Sequence, residues 1–144
     1  LSEIGSDSPR KVLAPNLAAR DYLEFEDGKI ADPELRRRLA EYDMRMQAIG
    51  LTHFRTFEEK VAGQRSAAPL IMKYVGTEAV KTKSELLLAI LGSRGLGWEG
   101  KGFTEEELDS LRDWAFNYAL TIAGGTSEIQ LNVVAKNVLE LPQT

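Results

Sequence analysis

Cysteine is absent from the chain, which excludes disulfides, thiolate metal sites and cysteine nucleophiles. Histidine occurs once, at position 53. Nothing is therefore placed to build a hydrolase triad or a His-rich metal site. Basic residues are in deficit, 18 Lys and Arg against 22 Asp and Glu for a net charge of -4. That balance argues against a general nucleic-acid surface, which needs a basic excess. No apolar run approaches the length of a membrane span and no signal peptide opens the chain, so the expected location is cytoplasmic. A chain that begins with Leu1 and not Met reads as a fragment or a processed piece. What remains is ordinary for a globular protein, 43% hydrophobic and 28% charged over 144 residues, enough for one domain with a real core.

Residues 1–11 carry Gly, Pro and three Ser without periodicity and read as a flexible lead-in; residues 12–144 carry the helical pattern. Val12 to Phe25 allows a helix with Pro15 in its first turn, and Gly28 ends the turn that follows. Asp32-Pro-Glu is a strong helix start, combining an N-cap carboxylate, Pro at N1 and an early acid. Leu35, Leu39, Tyr42, Met46, Ile49 and His53 then step by four and three along a long amphipathic helix. It continues through Phe54, Phe57 and Val61 to Gly63. His53 on that stripe reads as a packed or interfacial residue. Arg36-Arg-Arg38 fan out around one turn among Glu34, Glu41 and Asp43, the pattern of a solvated, salt-bridged face. Ser66 opens a third helix with Pro69 in its first turn, striped by Ile71, Val75, Ala79, Leu86 and Ile90 and closed at Leu91-Gly92. Gly92 to Phe103 holds five glycines in twelve residues without a P-loop ending. It reads as a connection whose Trp98 suits docking onto a partner. Thr104 with Glu107 forms a capping box, and Leu108, Leu111, Ala115, Tyr118 and Ile122 stripe the helix it opens. Four or five helices and no convincing strand predict an all-α, antiparallel bundle of the four-helix type.

The most informative stretch closes the chain. Ile122 ends an apolar run, and Gly124 and Gly125 break the helix with backbone freedom that a Cβ would remove. Thr126 and Ser127 then offer hydroxyls to the unpaired N–H groups of a new first turn. Ser127 and Gln130 match a capping box, and Glu128 suits the positive end of the helix dipole. Leu131, Val134, Val138 and Leu141 carry the helix on until Pro142 stops it. Most such starts are caps and nothing more, but a glycine-flanked start with hydroxyls can also cradle an anion. No carboxylate pair shows the Glu-x-x-His pattern of helical di-iron bundles, so no metal site is expected.

Ala123-Gly-Gly-Thr-Ser-Glu-Ile-Gln130, followed by an amphipathic helix ending in Leu-x-Leu-Pro142, resembles the C-terminal signature of acyl-CoA dehydrogenases. Helix order from Leu13 to Pro142, the Leu39-Ala-Glu41 helix and the Leu-Gly before the Gly-rich loop are similar to that family's C-terminal bundle. The resemblance implies a flavoprotein that oxidises an acyl-CoA at its α and β carbons. FAD carries the chemistry, and helical and β-barrel domains precede the bundle. It implies that Thr126, Ser127 and Glu128 lie against FAD near its diphosphate. Gly124 and Gly125 are implied to be small because cofactor and substrate pass close by. Gly92 and Gly95 resemble a region that touches the FAD of a neighbouring subunit, although Ala89 stands where several members have glutamine. Homodimers or tetramers follow from the same resemblance.

One departure limits the claim. Many members place their catalytic glutamate at the position that is Gly124 here, and glycine cannot take a proton. Other branches carry the base on an earlier helix, which by spacing falls at or before the start of this chain; Glu3 is the nearest acid. Leu131 replaces an arginine that commonly follows the glutamine. No catalytic residue is assigned. The chain then reads either as the C-terminal domain of an FAD-dependent acyl-CoA dehydrogenase, inactive as a fragment, or as a non-catalytic helical subunit or assembly module of a family complex. Acyl chain length is not readable from it.

Overall fold

The computed structural model of the chain describes residues 10–142. Most of the lead-in, and Glu3 with it, lies outside the described residues. Helix α1 spans Pro15–Tyr22, and a two-stranded hairpin follows, β1 Phe25–Glu26 against β2 Lys29–Ile30. Then come α2 (Pro33–Val61), α3 (Ala68–Leu91), a 3-10 turn over Gly92–Leu96, α4 (Glu105–Leu120) and α5 (Ser127–Asn137). The expected all-α bundle is what forms.

Helix α3 is the hub, touched by α1, α2, α4 and α5. The buried core sits over its C-terminal half. Leu86, Leu87, Ile90 and Leu91 meet Ala18 and Ala19 of α1 and Ile30 of β2, with Leu35, Leu39 and Tyr42 of α2 at the margin. Arg45 of α2 reaches Thr82, and Tyr118 of α4 donates to Glu85, so both long helices run antiparallel to α3. Asp32 caps α2 through the amides of Glu34 and Leu35, with Pro33 at N1 as expected. Thr104 and Glu107 close both halves of their capping box.

Several expectations need correction. The turn expected at Gly28 is there, but it joins two short paired strands where no convincing strand was expected. Asp27 and Gly28 both take positive φ, 49° and 73°, the backbone that a tight two-residue hairpin demands. Ser127 does not cap α5. Thr126 does, accepting from the Ile129 amide at 3.3 Å, while Ser127 is the first helical residue. The helix also ends before Pro142, at Asn137. Val134 O gathers the amides of Val138 and Leu139, and Glu140 turns to φ 51°. In a continued helix Pro142 would lack the N–H for the Val138 carbonyl and its ring would clash with that carbonyl, so the helix gives out one turn before the proline.

The stripe expected on α4 is only half-buried or exposed, with Ile122 beyond the helix end. The buried side chains of α4 are Glu107, Asp109, Ser110 and Asn117. Asp109 and Glu107 serve as partners for groups outside the helix, whereas Ser110 and Asn117 bond back to α4 itself. Lys11 N–H donates to Asp109 at 3.0 Å, and Arg94 and Tyr22 donate to Glu107. The triple arginine behaves as a charged surface. Arg37 pairs with Glu34 and Glu41, and Arg36 turns back to the Ile30 carbonyl at 3.0 Å.

Candidate functional site

Between α4 and α5 the chain passes through Thr121–Thr126. Gly124 has φ 68° and Gly125 φ 104°, left-handed conformations that cost a residue with a Cβ. A Cβ on Gly125 would also come within 2.7 Å of the Gln130 amide nitrogen. Thr121 O accepts the Ser127 amide at 3.2 Å and Thr126 Oγ accepts from Ile129, so two of the orphan donors of α5 are satisfied internally. The Ser127 hydroxyl donates to Glu78 on α3 at 3.2 Å. Glu128 holds its carboxyl below the ordinary range, first through its own backbone N–H and then through the Thr126 hydroxyl. The positive end of α5 thus carries a carboxylate of its own chain, that of Glu128.

From α3, Lys73 Nζ donates to Leu120 O at 3.1 Å and to Gly125 O at 2.9 Å. A Cβ on Gly124 would sit 3.9 Å from Lys73 Cε. No carboxylate arises at position 124, and the charged group beside it is an ammonium.

Gly92 and Gly95 lie at the other end of α3. Nineteen residues separate Lys73 from Gly92, a helical rise of roughly 28 Å, so the two groups of candidate residues do not converge on one spot. Gly92 closes α3 at φ 55° and faces open space. Gly95 is buried, and a Cβ there would meet Leu88 O at 3.1 Å and Leu91 Cβ at 3.2 Å. Its smallness is required by the end of α3 itself.

The Gly-rich connection is held in place by charged groups. Glu107, 1% exposed, accepts Arg94 through both oxygens at 2.7 and 2.6 Å, Tyr22 OH at 3.0 Å and the Thr104 amide at 2.8 Å. The Arg94 guanidinium, above all, holds the Glu107 carboxyl below the ordinary range, and burial first and then Glu107 push the Tyr22 hydroxyl up. Arg94 also lies 5.0 Å over the Phe103 ring. Arg112 lies over Trp98 at 6.0 Å and donates to its carbonyl. Trp98 remains 55% exposed, as a docking side chain would.

Lys73, Glu78 and Arg94 were not legible as site residues. Lys73 and Glu78 act on groups 47 to 52 positions away, and no local pattern reports such a contact. Arg94 could have been noticed as the one cation in the tight first part of the glycine stretch.

A family model for the acyl-CoA dehydrogenase C-terminal domain matches residues 18–139, nearly the whole described bundle. The chain belongs to that family. Acyl-CoA dehydrogenase IpdE1 of Mycolicibacterium smegmatis is 31% identical over 121 residues, which cover 84% of this chain and 29% of that protein. Among solved structures, a protein described as the Tcur3481-Tcur3483 steroid ACAD superposes with TM-score 0.69 at 24% identity, over 90% of this chain and 33% of its own. A glycine-to-alanine variant of it gives TM-score 0.68 at 25% identity, with the same coverage. This acyl-CoA dehydrogenase domain thus spans about a third of the length of the relatives it matches. The match takes in both the α4–α5 glycine break and the Gly92–Leu96 turn. No helix among the described residues is long and apolar enough to cross a membrane, and no cluster of three metal-ligating side chains occurs among them.

Proposed function

We propose that this chain is the C-terminal bundle of an FAD-dependent acyl-CoA dehydrogenase, contributing cofactor contacts and part of an oligomer interface. The observation that carries it is the glycine break feeding a hydroxyl- and carboxylate-bearing helix start, within a domain that belongs to this family. When bound, FAD supplies the two-electron acceptor for α,β-oxidation of an acyl-CoA thioester.

The residues present fit part of that cofactor. The start of α5 offers the Thr126 and Ser127 oxygens, the Glu128 amide and the Glu128 carboxylate. A mixed set of hydroxyls with an ionised carboxylate suits the hydroxyl-bearing sugar portion of a dinucleotide. Glu128 is exposed and can turn aside where phosphate approaches. Gly124 and Gly125 keep side chains away from the break, leaving room for cofactor and acyl group. Gly92, about 28 Å along α3, is available only to a different part of the assembly, in keeping with contact to the FAD of a neighbouring subunit. In this reading the chain holds no catalytic base of its own among the described residues.

That last point favours a second reading, a non-catalytic subunit that keeps the bundle for assembly. Gly124 bears no acid, and Lys73 stands beside it. The test is to purify the complete protein and record its flavin spectrum with and without acyl-CoA, using straight-chain thioesters and a steroid-derived one. Bleaching of a bound flavin supports the enzyme. A colourless protein that still assembles supports the module. Turnover by residues 1–144 alone with added FAD would contradict the module reading and the expectation that this chain is inactive by itself.

A further inference from the structure

The glycine break is held from outside its own segment. Helix α4 has no basic residue in its last turn, although a helix C-terminus carries partial negative charge and carbonyls without partners. Those carbonyls find donors one by one. Tyr118 O accepts the amide and the hydroxyl of Thr121, and Ala119 O accepts the amides of Ile122 and Ala123. Leu120 O takes its donor from another element, Lys73 Nζ on α3. The same ammonium donates to Gly125 O, so one cation grips the backbone before and after Gly124.

The two glycines have no conformational preference of their own strong enough to fix this path. Contacts must specify it. The Gln130 side chain reaches Gly124 O only at 3.4 Å, near the limit of a hydrogen bond, whereas the two Lys73 bonds are charge-assisted and shorter. The ammonium is the stronger determinant.

We propose that Lys73 is a positioning residue for the break, setting the direction in which α5 leaves α4 and hence where Thr126, Ser127 and Glu128 are presented. The consequence for FAD rests on the function proposed above; the grip on the backbone does not. Glu78 acts in the same sense five residues further along α3, through the Ser127 hydroxyl.

The experiment compares Lys73→Met, which keeps the stem but removes charge and donors, with Lys73→Arg, which keeps both. In the complete protein, hydrogen exchange across residues 121–129 and the affinity for FAD are measured together. Lys73→Met is expected to speed local exchange and weaken FAD binding, each about tenfold, the scale of one charge-assisted hydrogen bond. Lys73→Arg restores both, and protection in α1 and α2 stays unchanged. Unaltered exchange in Lys73→Met overturns the grip, whatever FAD does. Faster exchange throughout the bundle overturns a local role, and faster local exchange with undiminished FAD affinity overturns the positioning role. Wild-type protein that takes up no FAD overturns the proposed function instead, and the exchange data still decide the grip.

Discussion

Glu107 shows how a single carboxylate can organise a loop. It is buried, yet its folded pKa lies below the ordinary 4.5, because Arg94, the Thr104 amide and Tyr22 all donate to the charged form. A depressed carboxyl contributes stability that is complete above its unfolded pKa and is lost as pH falls through the folded value. Glu107→Gln should therefore destabilise the fold at pH 7, and the gap from wild type should close as pH drops below 4.5, as urea titrations at several pH values would show. Removing one partner of a buried pair costs 3–5 kcal/mol; Arg94 is 42% exposed on its side chain, so we expect about 2 kcal/mol. A pH-independent difference would mean that Glu107 acts by shape and not by charge. Lys73 yields a second prediction about a carboxylate beside a cation. An acid introduced by Gly124→Glu would meet the ammonium, and its carboxyl should titrate below the ordinary glutamate range in a carboxyl NMR titration. Lys73→Met in the same protein should raise it again. A carboxyl held below its ordinary range is a weaker proton acceptor than a free glutamate.

Among the elements, the α4–α5 junction is where local pattern and tertiary contact part company. The glycines, the helix restart and Glu128 at the positive end of α5 were all visible in sequence, because turn and cap chemistry act over four or five residues. The cap itself was placed one residue late. Thr126 and Ser127 are both good caps by chemistry; Thr126 takes the role, and the Ser127 hydroxyl is engaged by Glu78 from 49 positions away. The polar buried face of α4 was not legible. A stripe of Leu and Tyr predicts which side could be buried, while Glu107 and Asp109 are buried by arginine, tyrosine and backbone partners elsewhere in the chain. Two substitutions weigh the junction. Thr126→Ala should cost about 1 kcal/mol, the usual worth of an N-cap hydroxyl. Gly125→Ala should cost more, about 2 kcal/mol, since it forces a Cβ to φ 104° and crowds Gln130. Thermal unfolding of both variants checks the order. If Gly125→Ala is neutral, the break is less fixed than the backbone indicates.

At the scale of the whole molecule, the chain spans about a third of the length of the relatives it matches, and large apolar side chains stay on its surface. The core lies at one end of α3, and α2 has no fully buried residue along its 29 positions. At about 100° per residue, the side of α2 that approaches α3 carries Tyr42, Arg45, Ile49 and Thr56. A second face, turned away by more than a quarter-circle, carries Leu51, Phe54, Phe57 and Val61, exposed by 71, 61, 64 and 73%. The expected stripe through Met46 and His53 falls between the two, and both of those residues are exposed. Within the described chain α2 is met by α3, β2 and α1, and none of them covers its second apolar face. Four large side chains at that exposure leave an apolar patch of the kind that soluble monomers avoid, and covering it returns about 25 cal/mol for each Å². Closed association is the simplest relief, because the same patch on a second copy is complementary to itself. Sedimentation at micromolar concentration should give a dimer or tetramer, and Phe54→Glu with Phe57→Glu should shift it toward monomer. Because these rings touch little within one chain, the same pair should leave the monomer's melting temperature nearly unchanged. A clean wild-type monomer would reject the association, whereas assembly that survives the double substitution would keep it and move the interface off α2, toward the exposed Leu131, Leu139 and Leu141 at the chain's other end.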